Sequence, residues 1–237
     1  MSIKREIKTL TTGLISLLYP RLCLSCRKVI SHNQTPQLCA NCQNELAYTQ
    51  QWLLPENALT DRLAGRLSLT FGTSLLYFGK GTVCQQLIHA LKYHHRPEIG
   101  QQLGEQLGKR LADQSALADL HGVVPVPIHP KRRHERGYNQ AEEIGKGVAQ
   151  ALNIPLFPEA LRRQVFKGSQ TTRSRLERVE NTKSSFINGK GNFSGKHLLL
   201  VDDVLTTGAT LDFCGNLLLD HHPDAKISIA TLAIATE

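Results

Sequence analysis

The fold of this 237-residue chain is decided by HLLLVDDVLTTGAT, residues 197–210. Within it, the apolar run Leu198 to Val201 precedes two adjacent carboxylates, and an apolar run of this length predicts a buried strand of a parallel sheet. A small, hydroxyl-rich turn comes next, and beyond it Leu211 to Leu219 carries apolar residues at helical spacing. Strand, turn and helix in this order predict an α/β domain with a loop of the size that a phosphate needs.

The turn, Thr206 to Thr210, has the composition of a phosphate-binding loop. Free backbone N–H groups at the start of a helix, with threonine hydroxyls beside them, suit a phosphate monoester. The carboxylates of Asp202 and Asp203 suit vicinal hydroxyls and, with water, a divalent cation. A pentose 5-phosphate presents both groups, so the stretch predicts a sugar-phosphate site. The structural alternative is a buried strand with an acidic C-terminal edge.

The segment LLLVDDVLTTGAT, residues 198–210, resembles the phosphoribosyl-pyrophosphate (PRPP) loop of type I phosphoribosyltransferases. The whole chain is similar to the competence protein ComF family, also called the GntX family, whose members join a cysteine-rich N-terminal segment to such a domain. The resemblance implies an α/β fold of the type I phosphoribosyltransferase kind, a mostly parallel sheet flanked by helices, with a small N-terminal zinc-binding module. It also implies that Asp202 and Asp203 contact the ribose hydroxyls. The residues implied to wrap the 5-phosphate are Thr206, Thr207, Gly208, Ala209 and Thr210.

The six cysteines fall as two close pairs and two lone residues, Cys84 and Cys214. The pairs form the pattern CxxC-x12-CxxC, which supplies four thiolates to one tetrahedral zinc and lets a short segment fold without a large core. His32 lies between the pairs and is a candidate substitute ligand, but the four cysteines already fill a tetrahedral site. The two lone cysteines are expected to be small buried hydrophobes. The predicted structural zinc ligands are Cys23, Cys26, Cys39 and Cys42.

The N-terminus mimics a signal peptide, because basic residues precede the apolar-leaning run Leu10 to Tyr19. Threonine, glycine and serine interrupt this run, which is too short to span a bilayer and has no small-residue cleavage pattern after it. We therefore expect an amphipathic helix over Ile7 to Leu18 and a cytoplasmic protein without membrane insertion. The expected domains are 1–60, the zinc module with a linker over Trp52 to Asp61, and 61–237, the phosphoribosyltransferase-like domain.

The net charge of +8 indicates an anionic partner, and both a pyrophosphate-bearing metabolite and nucleic acid meet that requirement. Much of the excess lies between residues 131 and 183, which hold 12 Lys and Arg against 6 Glu. The hydrophobic content of 41% and charged content of 20% are those of an ordinary globular protein. Charge alone does not choose between the two partners.

Two helices are predicted between Thr82 and Leu111, separated by a break at Pro97, because apolar residues recur at helical intervals on both sides. Near the break, Leu91-Lys92-Tyr93 resembles a Leu-Lys-Tyr/Phe signature of the ComF family, which implies a PRPP-binding role for Lys92. The alternative is that Lys92 is a solvated helix end.

A second family signature, PVPxHPxRxxxRGxNQ, matches residues 125–140, where a basic loop is predicted between a short strand and a helix. By position it corresponds to the pyrophosphate loop of phosphoribosyltransferases, so Arg136 and the backbone near Gly137 are the implied pyrophosphate contacts. A solvated basic turn is the alternative. The matching positions are Pro125, Pro127, His129, Pro130, Arg133, Arg136, Gly137, Asn139 and Gln140.

The interval Leu161 to Phe186 is polar and basic, and Gln170 to Asn181 partly resembles a third family signature. Arg173 stands where the family usually has leucine, which puts the packing of the segment in doubt. In type I phosphoribosyltransferases this interval is a mobile hood that excludes water from the bound donor. A segment of this composition suits a lid over pyrophosphate and equally suits single-stranded nucleic acid.

Other elements are predicted from local pattern. We expect a strand or hairpin arm within Leu67 to Phe78 and a closing strand over Lys226 to Ala235. The paired His221 and His222 lie at the turn before that last strand and are expected to be exposed.

Two functions remain open at this stage. The first is a phosphoribosyltransferase that binds Mg²⁺-PRPP and transfers its ribose to an unidentified acceptor, with Asp202, Asp203 and Arg136 as the candidate catalytic residues. The second is a non-enzymatic accessory protein that senses PRPP or a nucleotide, or binds single-stranded DNA, with DNA-uptake proteins as candidate partners. The family resemblance implies a setting of natural competence or use of external DNA, and it does not imply the chemistry.

Overall fold

A computed structural model describes residues 20–31, 36–164 and 186–236 of the chain. It divides the chain into two compact units, Met1–Leu46 and Ala47–Glu237. The predicted N-terminal helix, His32 and the third family signature at Gln170 to Asn181 lie outside the described residues.

The small unit is built around its cysteine pairs. An antiparallel bridge joins Leu22 to Val29, and helix α1, Ala40–Asn44, begins directly after Cys39. The backbone N–H of Leu24 donates to the carbonyl of Gln37 at 3.0 Å, which ties the first cysteine turn to the second.

The larger unit is organised on a parallel four-stranded sheet. Its strands, in spatial order, are β1 (Phe71–Phe78), β6 (Lys226–Ala235), β5 (His197–Leu205) and β2 (Leu120–Pro125). The predicted apolar run, Leu198 to Val201, is fully buried at the centre of this sheet, as expected for a parallel strand covered on both faces. The closing strand forms over the predicted residues.

The described part of the larger unit also contains helices. They are α2 (Ala58–Leu63), α3 (Val83–Tyr93), α4 (Pro97–Leu111), α5 (Pro130–Arg136), α6 (Gln140–Leu152) and α7 (Ala209–His221). The predicted pair of helices around Pro97 is confirmed as α3 and α4. Since no helix in the described ranges combines sufficient length with sufficient apolar character, none of them meets the requirements of a membrane span.

Helices α4 and α6 approach each other closely because glycines lie at their contact. A Cβ on Gly104 would come within 2.2 Å of the carbonyl oxygen of Ile144, and one on Gly147 within 2.0 Å of that of Gln101. The contact fixes α6, whose first turn borders the candidate site described below.

The segment Trp52 to Asp61 was predicted to be an irregular linker, and the prediction of irregular structure is wrong. A 3₁₀ turn, Gln51–Leu53, and helix α2 occupy most of it. Asn57 caps α2: its side chain accepts from the backbone of Leu59 and Thr60, while the Thr60 hydroxyl accepts from the backbone of Asn57. This reciprocal capping box starts a helix where the sequence predicted a linker.

The predicted basic loop after β2 is also corrected, because most of it is helix α5. Pro130 occupies the first turn, His129 accepts from the Lys131 N–H, and Gly137 ends the helix with a φ of +81°. Proline at the start and glycine at the end of a short helix follow the usual asymmetry of helix termini.

Two further expectations can be compared with the structure. Cys84 and Cys214 are buried on helices, as predicted, at 2% and 0% exposure. His221 is exposed as expected, but the prediction for His222 is wrong, because its side chain is buried and its ring meets that of Phe193 edge-to-face at 5.5 Å.

Candidate functional site

A cavity of about 470 Å³ opens at the carboxyl ends of β2 and β5. Parallel α/β sheets bind ligands at this edge of the sheet. The cavity brings together predicted residues that lie far apart in the sequence, namely Lys92, Arg136, Asp202, Asp203 and Thr210. Gly137 does not line it. The rest of the predicted loop borders a small adjoining cavity of about 40 Å³, which shares Asp202 and Thr210 with the first.

The two carboxylates have different surroundings. Asp203 forms an ion pair with Lys92, 3.0 Å from Nζ to Oδ1, and both side chains are largely shielded from solvent. Asp202 Oδ1 accepts from the backbone N–H of Asp203 at 2.8 Å. Burial, followed by the neighbouring charge of Asp203, raises the pKa of Asp202 to about 7. Asp202 therefore changes charge near neutral pH.

Lys92 reaches the site because the end of α3 is anchored to the chain before α6. The Tyr138 hydroxyl donates to the carbonyl oxygen of Leu91, the residue preceding Lys92. Burial raises the pKa of Tyr138, so the phenol stays protonated and keeps this donor role. The sequence reading had assigned no role to Tyr138.

Two arginines, one in α2 and one just after it, donate hydrogen bonds to the loop that follows β5. Arg62 donates to the carbonyl of Thr206 at 2.9 Å, and Arg66 donates to that of Thr207 at 2.8 Å. Arg66 also forms an ion pair with Asp212 in the first turn of α7, at 2.8 Å. These bonds occupy two loop carbonyls, while the first N–H groups of α7 lack partners within their helix. The sequence pattern did not predict a site role for either arginine.

Gly208 gives the loop its sharp entry into α7. Its φ is +78°, a left-handed value that L side chains rarely adopt, and a Cβ there would lie 2.8 Å from a methyl carbon of Leu63. The glycine is therefore required both by backbone conformation and by packing against α2.

Arg136 is positioned by an aromatic ring and an amide. Its guanidinium lies 5.2 Å from the ring centroid of Tyr93, and its Nη1 donates to Oε1 of Gln140 at 3.0 Å. Asn139 is buried and caps α6 by accepting from the Ala141 N–H, while its amide donates to the carbonyl of Val126. The end of the second family signature thus sets the position of α6 beside the cavity.

Arg163 also lines the cavity, and the sequence reading assigned it no site role. It belongs to a two-stranded antiparallel ribbon, β3 (Leu161–Arg163) and β4 (Phe186–Asn188). Its guanidinium lies 4.7 Å from the ring centroid of Phe186. Burial, followed by repulsion from Arg132, lowers the pKa of Arg163.

The small unit holds a separate candidate metal site. The four predicted thiol sulfurs of Cys23, Cys26, Cys39 and Cys42 all lie within 4.8 Å of one another. Tetrahedral zinc with Zn–S bonds of about 2.3 Å spaces its sulfurs about 3.8 Å apart, so the cluster fits such an ion. Cys23 Sγ accepts from the backbone N–H of Cys39 at 3.4 Å.

The thiols differ in acidity. Burial by itself raises the pKa of Cys23, but backbone N–H groups, foremost that of Cys39, outweigh burial and lower this pKa to about 6. Burial raises the pKa of Cys42 to about 12. A cation bound among these sulfurs would favour the thiolate form at every one of them.

Comparison with known proteins finds a domain model that matches part of the large unit. Residues 139–236 match the phosphoribosyl transferase domain model. The chain is 30% identical to competence protein F of Haemophilus influenzae over 56% of this chain, and 33% identical to the DNA utilization protein YhgH of Escherichia coli K12 over 56% of this chain. The chain spans 60% of the length of each of these relatives.

A solved structure is similar as well. Adenine phosphoribosyltransferase from Saccharomyces cerevisiae, in complex with an imino-altritol bisphosphate and adenine, aligns over 60% of this chain and 72% of its own, at 14% identity and a TM-score of 0.40. The matched domain, the parallel sheet and the four-cysteine cluster confirm the predicted fold class.

Proposed function

We propose that the cavity beside β5 binds Mg²⁺-PRPP. The chain resembles the competence protein family, and its residues 139–236 match a phosphoribosyl transferase domain. One observation carries the proposal: the carboxylates of Asp202 and Asp203 and the loop Thr206 to Thr210 border adjoining cavities that share Asp202 and Thr210. A ribose 5-phosphate needs hydroxyl acceptors next to a phosphate-binding loop.

Each part of the ligand has a matching group in the proposed mode of binding. The loop N–H groups and the N-terminal turn of α7 take the 5-phosphate, with Arg62 and Arg66 holding the loop carbonyls away from it. The two carboxylates accept from the ribose hydroxyls. Arg136 and Lys92, which line the same cavity, take the pyrophosphate.

Lys92 then exchanges partners when the ligand binds. In the free protein its ammonium neutralises Asp203 at 3.0 Å. The incoming pyrophosphate offers the ammonium a more highly charged acceptor, which frees the Asp203 carboxylate for a ribose hydroxyl. Bound Mg²⁺ supplies charge neutralisation at the pyrophosphate, and the oxygen donors of this cavity are of the type that this ion prefers.

If the protein is an enzyme, its residues favour loss of pyrophosphate from the ribose. Arg136 and Lys92 stabilise the negative charge that grows on the leaving group, and the carboxylates stabilise the positive charge on the sugar ring. The acceptor is then joined to the ribose carbon that pyrophosphate leaves.

The test is calorimetric titration of the full-length protein with PRPP in the presence of Mg²⁺. Wild type is expected to bind, and Asp202→Asn combined with Asp203→Asn is expected to lose at least tenfold in affinity, because two charge-assisted contacts disappear. Asp113→Asn, an exposed carboxylate outside the cavity, is the matched control and should bind like wild type. Binding that is equal in all three proteins would contradict the proposal.

A second candidate function is non-enzymatic: sensing PRPP or a nucleotide, or handling single-stranded DNA together with DNA-uptake proteins. The names of the two relatives, and the surplus of 12 Lys and Arg over 6 Glu between residues 131 and 183, favour a role in competence or DNA utilisation. Pyrophosphate release with candidate acceptors separates the two, because only the enzyme produces it. Retention of single-stranded DNA should weaken steeply with salt if these cations contact phosphates.

We also propose that the four cysteines hold a structural zinc ion and that the protein acts in the cytoplasm. The sulfur geometry supports the first statement. Zinc content near one ion per chain is expected for wild type, with loss in Cys39→Ser. Retention of zinc after that substitution would contradict the assignment.

A further inference from the structure

A second cavity, of about 430 Å³, lies next to the first and shares four lining residues with it, Pro127, Ile128, Asn139 and Arg163. A ligand in one cavity is therefore a neighbour of a ligand in the other. The proposed function assigns PRPP to the first cavity and leaves the second without a role.

The charges of the two cavities differ. The first contains the paired carboxylates Asp202 and Asp203, which select hydroxyls and a cation. In the second, Arg133, Arg162 and Arg163 face a single carboxylate, Glu159, among the described lining residues. Three cations against one carboxylate make the second cavity attractive to an anion, whereas the first cavity combines its own cations with the carboxylate pair.

The arginines of the second cavity are partly held in place but remain within reach of a ligand. Arg162 forms an ion pair with Glu159, and Arg133 forms one with Glu142 at 3.3 Å. The side chains of Arg133 and Arg162 are 59% and 45% exposed, so each can turn toward an anion in the cavity. Exposed pairs of this kind are weak, and a carboxylate or phosphate ligand replaces them at small cost.

The remaining wall is apolar and stiff. It consists of Pro127, Pro130 and Pro158 together with Ile128 and Leu161. Proline rings and a branched side chain present a fixed, flat surface that suits a planar ring better than a flexible polar chain.

We propose that the second cavity binds a small planar ring compound carrying a carboxylate or a phosphate, and that Arg163 contacts both this ligand and the one in the first cavity. As the partner of PRPP this compound is the acceptor, a statement that rests on the proposed function. Its binding does not require PRPP, since Arg133 and Arg162 line only the second cavity.

The test is ligand-observed NMR titration of the full-length protein with benzoate, phenyl phosphate and uncharged benzamide, with and without saturating Mg²⁺-PRPP. Both anions should bind, benzamide should not, and PRPP should not displace them. Whichever anion binds more tightly identifies carboxylate or phosphate as the natural group. Arg162→Gln should weaken the anions about tenfold and leave the Kd of Mg²⁺-PRPP unchanged.

Lys109→Gln removes one remote exposed charge and is the matched control; it should bind all probes like wild type. Equal binding of benzamide, displacement of the anions by PRPP, or full affinity for the anions in Arg162→Gln would overturn the proposal. If the anions bind as expected but PRPP does not bind wild type, the proposed function fails and the anion site stands.

Discussion

Asp202→Asn should stabilise the protein, and the gain should grow with pH. The pKa of Asp202 is raised from its ordinary value of 3.8 to about 7 by burial and by Asp203, so the folded state holds a proton that the unfolded chain releases. A raised carboxyl pKa lowers stability progressively as pH rises from about 4 to about 7, and the full penalty is present above that window.

The size of the effect follows from the shift. About three pKa units correspond to a ceiling of about 4 kcal/mol at pH 8, at about 1.4 kcal/mol per unit. At pH 5 the same shift costs less than half as much, since little more than one unit separates that pH from the unfolded pKa. After allowance for local relaxation, we expect the stabilisation by Asp202→Asn to rise by about 1–2 kcal/mol between pH 5 and pH 8. The asparagine Oδ1 keeps the bond from the Asp203 N–H.

The assay is urea unfolding of wild type, Asp202→Asn and the control Asp113→Asn at pH 5 and pH 8. The difference in free energy of unfolding between wild type and Asp202→Asn should widen at the higher pH, while the control follows wild type. A constant difference at both pH values would refute the reasoning, because the carboxyl would then ionise at its ordinary pKa. The same variant should lose affinity for Mg²⁺-PRPP, so stability and binding are expected to move in opposite directions.

Three other substitutions have defined outcomes. Asn57→Ala should cost about 2–3 kcal/mol in chemical unfolding, because it removes a helix cap and leaves the buried carbonyl of Gly72 without its 2.9 Å donor; a cost below 0.5 kcal/mol would count against the capping box. Gly104→Ala should lower the melting temperature strongly, since the new Cβ meets the carbonyl oxygen of Ile144 at 2.2 Å, and an unchanged value would contradict the close contact of α4 and α6. Arg66→Ala should weaken Mg²⁺-PRPP binding several-fold, because Arg66 holds the loop carbonyl of Thr207. It should cost about 1 kcal/mol or less in stability, because its ion pair with Asp212 is exposed. Unchanged affinity would contradict the role of Arg66 in positioning the loop.

Local pattern predicted the parts of the fold that local chemistry determines. The apolar run of β5, the closing strand β6 and the helices on either side of Pro97 formed as expected, because periodicity and a proline break act over a few residues. The same reasoning failed where two local signals compete. Asn57 lies in a segment predicted as a linker and Pro130 in one predicted as a basic loop, yet each starts a helix through a cap or a first-turn proline.

Long-range contacts explain most of what the sequence reading missed at the site. Arg62 bonds a loop that lies 144 residues further along, and Arg163 enters the cavity from a ribbon whose two strands are separated by more than 20 residues. No spacing rule predicts such partners, since strand order and helix packing decide them. His222 likewise is buried by Phe193, which belongs to the segment before β5.

The site itself was predictable in separate parts. The carboxylates with their loop, Lys92, and Arg136 were each identified by likeness to a different family signature, and the structure brings all four side chains to one cavity. Their assignment to particular atoms of PRPP is still a prediction.

The most direct measurement is a crystal structure of the protein with Mg²⁺-PRPP. We predict electron density with the 5-phosphate on Thr206 to Thr210, the ribose hydroxyls within hydrogen-bond distance of Asp202 and Asp203, and Lys92 turned from Asp203 to the pyrophosphate. Density for the ligand at another surface, or an unaltered Lys92–Asp203 pair in crystals shown to contain PRPP, would contradict this assignment.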